Sequence, residues 1–290
     1  MDTEKCKALI TTIEEGSLSA AADRLGYTPS GISRMMAVLE DETGFRLLAR
    51  SRNGAVPTAE CEKMMPVFRE LIYWGEQYYQ YAAELRGLER GTVTVGTSYS
   101  SYYKWLSELV AKFCSRYPGI EVKTLQANST NLYLAMEEHR ADLCIVSRRE
   151  REFEWIPIKE DPMVVWVPEG HPAAEAGFYR DKDLESEDYI ESFPEEETDN
   201  ARFLADRNIK PVVKFSTTDN YATYCMVESG LGVALMNDMS MGSWQGRVKS
   251  VPVEPPELVS IGFIYQSDEH LSPAARRFID FALEYSSEMK

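Results

Sequence analysis

Arg34, Arg50 and Arg52 fall close together in the first fifth of the chain, in the company of Thr28, Pro29, Ser30 and Ser33. Guanidinium forks and small hydroxyls grouped in this way can bind phosphates and the edges of base pairs. A second set gathers hydroxyls, amides and acids at expected strand ends: Ser98, Tyr99 and Ser100; Asn128, Ser129 and Thr130; Ser147; Glu191; Thr217 and Asp219. Such turns suit hydrogen bonds to a small polar ligand, and the same residue types also serve as helix caps. Bond-making chemistry finds no comparable support. His139, His171 and His270 stand in unrelated contexts without a paired nucleophile, and neither a Gly-x-x-x-x-Gly-Lys nor a Gly-x-Gly-x-x-Gly loop follows a strand. Cys6, Cys61, Cys114, Cys144 and Cys225 are odd in number and include no Cys-x-x-Cys, so neither zinc nor a disulfide framework is expected. The reading is of a protein that binds, not an enzyme, with no cofactor and no metal.

The first set needs a scaffold, and the surrounding residues supply one. Leu18, Ala21, Ala22 and Leu25 recur on one helix face, and Gly26 follows as a stop. Thr28 can cap a second helix with Pro29 at its first position, where the missing N–H costs nothing. Ile32, Met36 and Leu39 make that helix's buried stripe and leave Ser30, Ser33 and Arg34 outside. Two helices joined by a glycine-containing turn form a helix-turn-helix, whose second helix enters the major groove. Asn53-Gly54 then signals a hairpin wing that carries Arg50 and Arg52.

The order of these residues resembles the LysR-type transcriptional regulators. The resemblance rests on Gly16-Ser17-Leu18, Ala21-Ala22, Leu25, Thr28 to Arg34, Leu39-Glu40, Gly44, Leu47 to Arg50 and Pro57-Thr58, and on Glu228 to Leu235 further along. Two positions depart from the family pattern: Pro29 replaces a frequent base-contacting glutamine, and Cys61 replaces glycine. The resemblance implies operator DNA as partner, an effector bound at the hydroxyl-rich turns, a homodimer or homotetramer, and RNA polymerase as a candidate partner.

The remaining chain reads in keeping with that expectation. Residues 1–58 form the winged head, and 59–88 a long helix. Met64, Phe68, Leu71, Gly75, Tyr78, Ala82 and Leu85 make a heptad seam there, which predicts burial against a second copy. Residues 91–290 alternate strands and helices, which predicts parallel sheets with helices on both faces. The expected α/β fold has two lobes, one from 91–162 and 267–290, the other from 163–266, like periplasmic solute-binding proteins.

The formal charge of −16 looks wrong for a DNA binder until it is divided. Residues 1–58 carry a net −1, and the other −15 lies beyond them. Phosphate attraction decays within roughly 8 Å at physiological salt, so local placement decides. The start, Met1-Asp2-Thr3-Glu4-Lys5, is too polar for a signal peptide, and no apolar run has membrane length; a cytoplasmic protein without membrane partners is expected. Three other readings carry tests of their own. An effector-independent regulator would ignore its cleft, and a thiol sensor would need switch cysteines where the second lobe has only Cys225. A solute-binding module would lack the head.

Overall fold

A computed structural model describes residues 2–51, 54–99, 102–242 and 244–288. The chain divides between Leu88 and Glu89 into two compact units.

The first unit comprises α1 (Thr3–Glu15), α2 (Leu18–Leu25), α3 (Pro29–Thr43), the hairpin β1 (Leu48–Ser51) and β2 (Gly54–Pro57), and α4 (Ala59–Glu84). Thr28 and Gly26 bound their helices as expected, and the other boundaries carry caps of the same kinds. Ser17, Thr28 and Thr58 each accept a backbone N–H at the starts of α2, α3 and α4, and Gly16, Gly26 and Gly44 end α1, α2 and α3 at positive φ. Ile32, Met36 and Leu39 are buried with Leu9, Ala22, Leu47, Cys61 and Phe68 in one core. Removing these side chains from water is the main force holding the three short helices together.

Two sequence expectations change here. The head does not end at residue 58, because the first half of α4 closes its core through Cys61 and Phe68, with Leu71 and Ile72 packed against it. The seam is therefore not one continuous face awaiting a second copy. Gly75 permits the close crossing of α1 and α4, since a Cβ there would lie 2.7 Å from Cγ2 of Thr3. Beyond it Tyr78 and Leu85 are 68% and 89% exposed, so only the distal part of the seam is open.

The second unit contains β3 (Gly91–Thr97), α5 (Tyr102–Arg116), β4 (Ile120–Gln126), α6 (Ser129–Glu137), β5 (Leu143–Ser147) and β6 (Glu154–Pro168). There follow α7 (Pro172–Ala176), β7 (Tyr179–Arg180), β8 (Asp188–Ser192), α8 (Asp199–Asp206), β9 (Val212–Thr217) and α9 (Asn220–Glu228). β10 (Ala234–Asn237), β11 (Val248–Glu254), β12 (Leu258–Tyr265) and α10 (Pro273–Glu288) complete it. Lobe one is a sheet in the order β4-β3-β5-β12-β6, with α5 and α10 packed on one face and α6 on the other. Lobe two continues from the far half of β6 through β10 and β11, with α8 on one face and α9 on the other.

The sheets are mixed, not parallel throughout. β3, β4 and β5 run parallel, whereas β12 is antiparallel to both β5 and β6. β12 also belongs to lobe one and not, as expected, to lobe two. Its residues Ile261 and Phe263 are buried in the lobe-one core, so the chain crosses back between Glu254 and Leu258. β6 is the other crossing, a single strand whose first half pairs with β12 and whose second half pairs with β10 and β11.

Candidate functional site

The head presents its expected contact residues outward. Thr28 Oγ1 accepts the Gly31 N–H at 3.1 Å and lies 3.2 Å from Ser30 Oγ, which fixes the start of α3. Thr28, Pro29, Ser30, Ser33 and Arg34 are all exposed. Charge is distributed selectively around them. Lys5 pairs with Glu42, Lys7 with Glu4 and Glu76, and Arg24 with Glu14 and Glu15. Arg34 has no carboxylate within ion-pair distance among the described residues, so its fork of donors stays available. Arg50 pairs with Ala55 across the hairpin through its backbone; its side chain and the whole of Arg52 lie outside the described residues.

The wing is tied to the helices by two contacts that sequence reading did not single out. Glu40 Oε1 on α3 accepts the N–H groups of Leu47 and Leu48 at 2.8 and 3.2 Å. Gly16 O accepts the Ala55 N–H at 2.8 Å, and Gly54 beside it has φ +102° with room for no Cβ, which would fall 2.1 Å from the same carbonyl oxygen. The wing is thus placed through its own backbone, by the Glu40 side chain of α3 on one limb and by the Gly16 carbonyl at the end of α1 on the other.

In the second unit a cavity of about 390 Å³ opens between the lobes. Ser98, Tyr99, Asn128, Ser129, Thr130 and Asp219 all line it, as the sequence suggested. Asn128 and Asp219 also cap α6 and α9, accepting N–H groups at 2.7 Å each, so capping and lining coincide. Ser129 Oγ donates to Ser98 Oγ at 3.2 Å. Ser100 lies outside the described residues, as do the side chains of Tyr102 and Tyr103. Three residues differ from expectation. Thr217 turns its Oγ1 to the Asp219 N–H at 3.3 Å, and Glu191 lies within β8; neither lines the cavity. Ser147 is fully buried behind it and acts through a partner.

That partner belongs to a cross-lobe network that sequence reasoning missed. Arg202 on α8 donates to Ser147 Oγ at 3.1 Å and pairs with Asp199. Asp199 in turn accepts from the buried Tyr99 hydroxyl at 3.0 Å. Arg149, whose side chain is 4% exposed, donates to Thr130 Oγ1 at 3.3 Å and pairs with Glu197 at 3.1 Å. Burial and then the neighbouring Arg202 lower the Arg149 guanidinium from its usual value, while burial and then Asp199 raise the Tyr99 phenol well above its own. The network closes one lobe on the other. Its only signal in the sequence was Asp199 and Arg202 spaced three apart on a helix.

The thiols are poorly placed for redox chemistry. Burial pushes Cys144 up to about 12 and Cys61 up to about 11, so both stay protonated and unreactive near neutrality. Cys225 is half-buried on α9. Among the described residues no helix is long and apolar enough to cross a membrane, and no cluster of three acidic, cysteine or histidine side chains could hold a metal.

Comparison with known proteins places both units. Residues 3–62 match the bacterial regulatory helix-turn-helix protein, lysR family, and residues 86–287 the LysR substrate binding domain. The HTH-type transcriptional regulator YvbU of Bacillus subtilis, itself uncharacterized, is 25% identical over 98% of both chains. Full-length CbnR in complex with its target DNA superposes with a TM-score of 0.66 at 18% identity, covering 98% of this chain and 99% of CbnR. The Synechocystis CcmR regulatory domain in complex with 2-PG superposes with a TM-score of 0.62 at 20% identity, covering 69% of this chain and 99% of that domain. With its helix-turn-helix head matched at one end and its two-lobed unit matched over most of the rest, the chain belongs to the LysR family of transcriptional regulators.

Proposed function

We propose that this regulator seats α3 in the major groove of operator DNA. Thr28, Pro29, Ser30, Ser33 and Arg34 face the base edges and nearby phosphates, and Arg50 and Arg52 follow the backbone from the wing. The observation that carries this reading is charge placement. The head's other described cations near α1 and α2 are tied to carboxylates, while Arg34 on the exposed face of α3 is not. A small polar effector binds between the lobes, touching Ser98, Tyr99, Asn128, Ser129, Thr130 and Asp219. It acts by preferring one lobe arrangement over another. The relatives support both halves, since CbnR is complexed with DNA and CcmR with a small ligand.

The protein works as a homodimer or homotetramer through the distal part of α4, where Tyr78 and Leu85 are open. It acts in the cytoplasm, where its DNA is, and performs no catalysis. RNA polymerase is the partner through which such an assembly would alter transcription.

The test is Arg34→Ala measured against the chain's own upstream DNA and a scrambled duplex at fixed salt. A good bidentate base contact discriminates by about 1–3 kcal/mol, so selectivity should fall by roughly one to two decades. Unchanged affinity for both duplexes would remove α3 from the groove.

A further inference from the structure

This cavity between the helix starts has a charge of one sign. Among the described residues its lining includes Glu196, Glu197, Asp199 and Asp219 and no lysine, arginine or histidine. Two of the four carboxylates are already neutralised from outside the lining, Glu197 by Arg149 and Asp199 by Arg202. Glu196 and Asp219 are left over. Three helix N-termini also face this space and would ordinarily attract an anion. Each already has one N–H met by a side chain, α6 by Asn128, α8 by Thr198 and α9 by the carboxylate of Asp219.

Two buried polar atoms say more about an occupant. Asn237 is 6% exposed and lines the cavity, and its Nδ2 has no hydrogen-bond partner among the described residues. Glu196 also lines the cavity and has a buried Oε2 without a partner among them. An unmet donor and an unmet acceptor in one buried wall cost free energy unless a ligand completes them. Phe193, Tyr221 and Trp244 add aromatic surface, the last two with ring centres 5.1 Å apart. Aromatic faces attract cations as well as apolar groups.

Resting on the reading of this cleft as the effector site, we infer that its ligand is a small ammonium compound that also carries a neutral hydroxyl or carbonyl oxygen. The ammonium donates to Glu196 and is held in the field of Asp219. The oxygen accepts from Asn237, and the hydroxyls of Ser98 and Ser129 take the remaining polar groups. A carboxylate in the same place would meet Glu196 and Asp219 with no cation among the described lining residues to receive it. The cavity volume falls in the range of ordinary small-molecule sites.

The experiment is calorimetric titration of the full-length protein with three matched sets: glucosamine, N-acetylglucosamine and glucuronate; ethanolamine, N-acetylethanolamine and glycolate; tyramine, N-acetyltyramine and hydroxyphenylacetate. Each set holds the body nearly constant and changes the charge from positive to neutral to negative. Binding confined to an amine arm supports the proposal, provided that Glu196→Gln weakens it about tenfold or more and Asn237→Leu weakens it too. Glu196→Gln keeps size and shape, so a loss there is not a loss of fold; an unchanged melting temperature checks this. A neutral or acidic compound that binds, and is lost in Asn237→Leu, overturns the charge assignment while leaving the cleft as the effector site. An amine that binds equally well to both variants overturns the charge assignment and the cleft together. Silence from every amine also overturns the proposal, and the cleft is then judged by the response of DNA binding to cell extract.

Discussion

Arg34 and Glu40 lie within two turns of each other on α3, yet their work is opposite. Arg34 is open and unpaired, so its replacement should change recognition and leave folding alone. Glu40 spends one carboxylate oxygen on the Leu47 and Leu48 N–H groups, so its replacement should do the reverse. Glu40→Ala leaves two partly buried donors unmet, which costs about 1–3 kcal/mol. The expected result is a lower melting temperature for the head, read by circular dichroism on the intact protein. Affinity per folded molecule should change little. Sequence reading met Glu40 only as part of the family pattern, because a hydrogen bond to a residue seven positions away leaves no periodic trace. The same limit explains why Asp199 and Arg202 were missed while Ser98 and Asn128 were found. The latter are local turn chemistry, whereas the former gain meaning only from Tyr99 and Ser147, far off along the chain.

At the level of elements, α4 has two halves with different duties. Its first half completes the head core, and its second half leaves Tyr78 and Leu85 uncovered. Tyr78→Glu combined with Leu85→Glu should therefore yield monomers by light scattering with the head's melting unchanged. Leu71→Glu should instead destabilise the head itself, by roughly 3 kcal/mol, as burying an unpaired charge does. Monomers from Leu71→Glu without loss of stability would reverse this division. The heptad spacing was legible in the sequence, but not which molecule covers each position, since period fixes a face and not its partner. Helix starts were legible through Ser17, Thr28, Thr58, Asn128, Thr198 and Asp219, all of which cap as their side chains predict. The continuity of β6 was not. Proline lacks a ladder N–H, yet the strand runs through both Pro157 and Pro162.

Across the effector unit, the network described above links the lobes, and its most buried carboxylate is Asp199, whose side chain is 7% exposed. Arg202→Met strands that charge, and breaking a buried pair by removing one partner typically costs about 3–5 kcal/mol. Hydrogen exchange should then quicken in the Glu196–Thr198 segment and at the start of α8. The double variant with Asp199→Asn should recover part of the loss, because the stranded charge is gone; equal exchange in single and double variants would mean that the network does not hold the lobes. The charge division has a simpler reading at this scale, since the surplus of acid beyond residue 58 opposes loose attachment to nucleic acid and leaves binding to the head. The two crossings also decide the order in which the protein can be finished on the ribosome. Lobe one is split, for β3, β4 and β5 emerge early while β12 and α10 come only after all of lobe two. At translation rates of about 5–20 residues per second, β5 must wait roughly 5–20 s for the strand that covers its edge. During that interval the head is complete and lobe two can close as an uninterrupted insertion. A chain that stalls before Leu258 would therefore carry a finished DNA-binding end attached to half a sensor, able to occupy an operator but not to answer a signal.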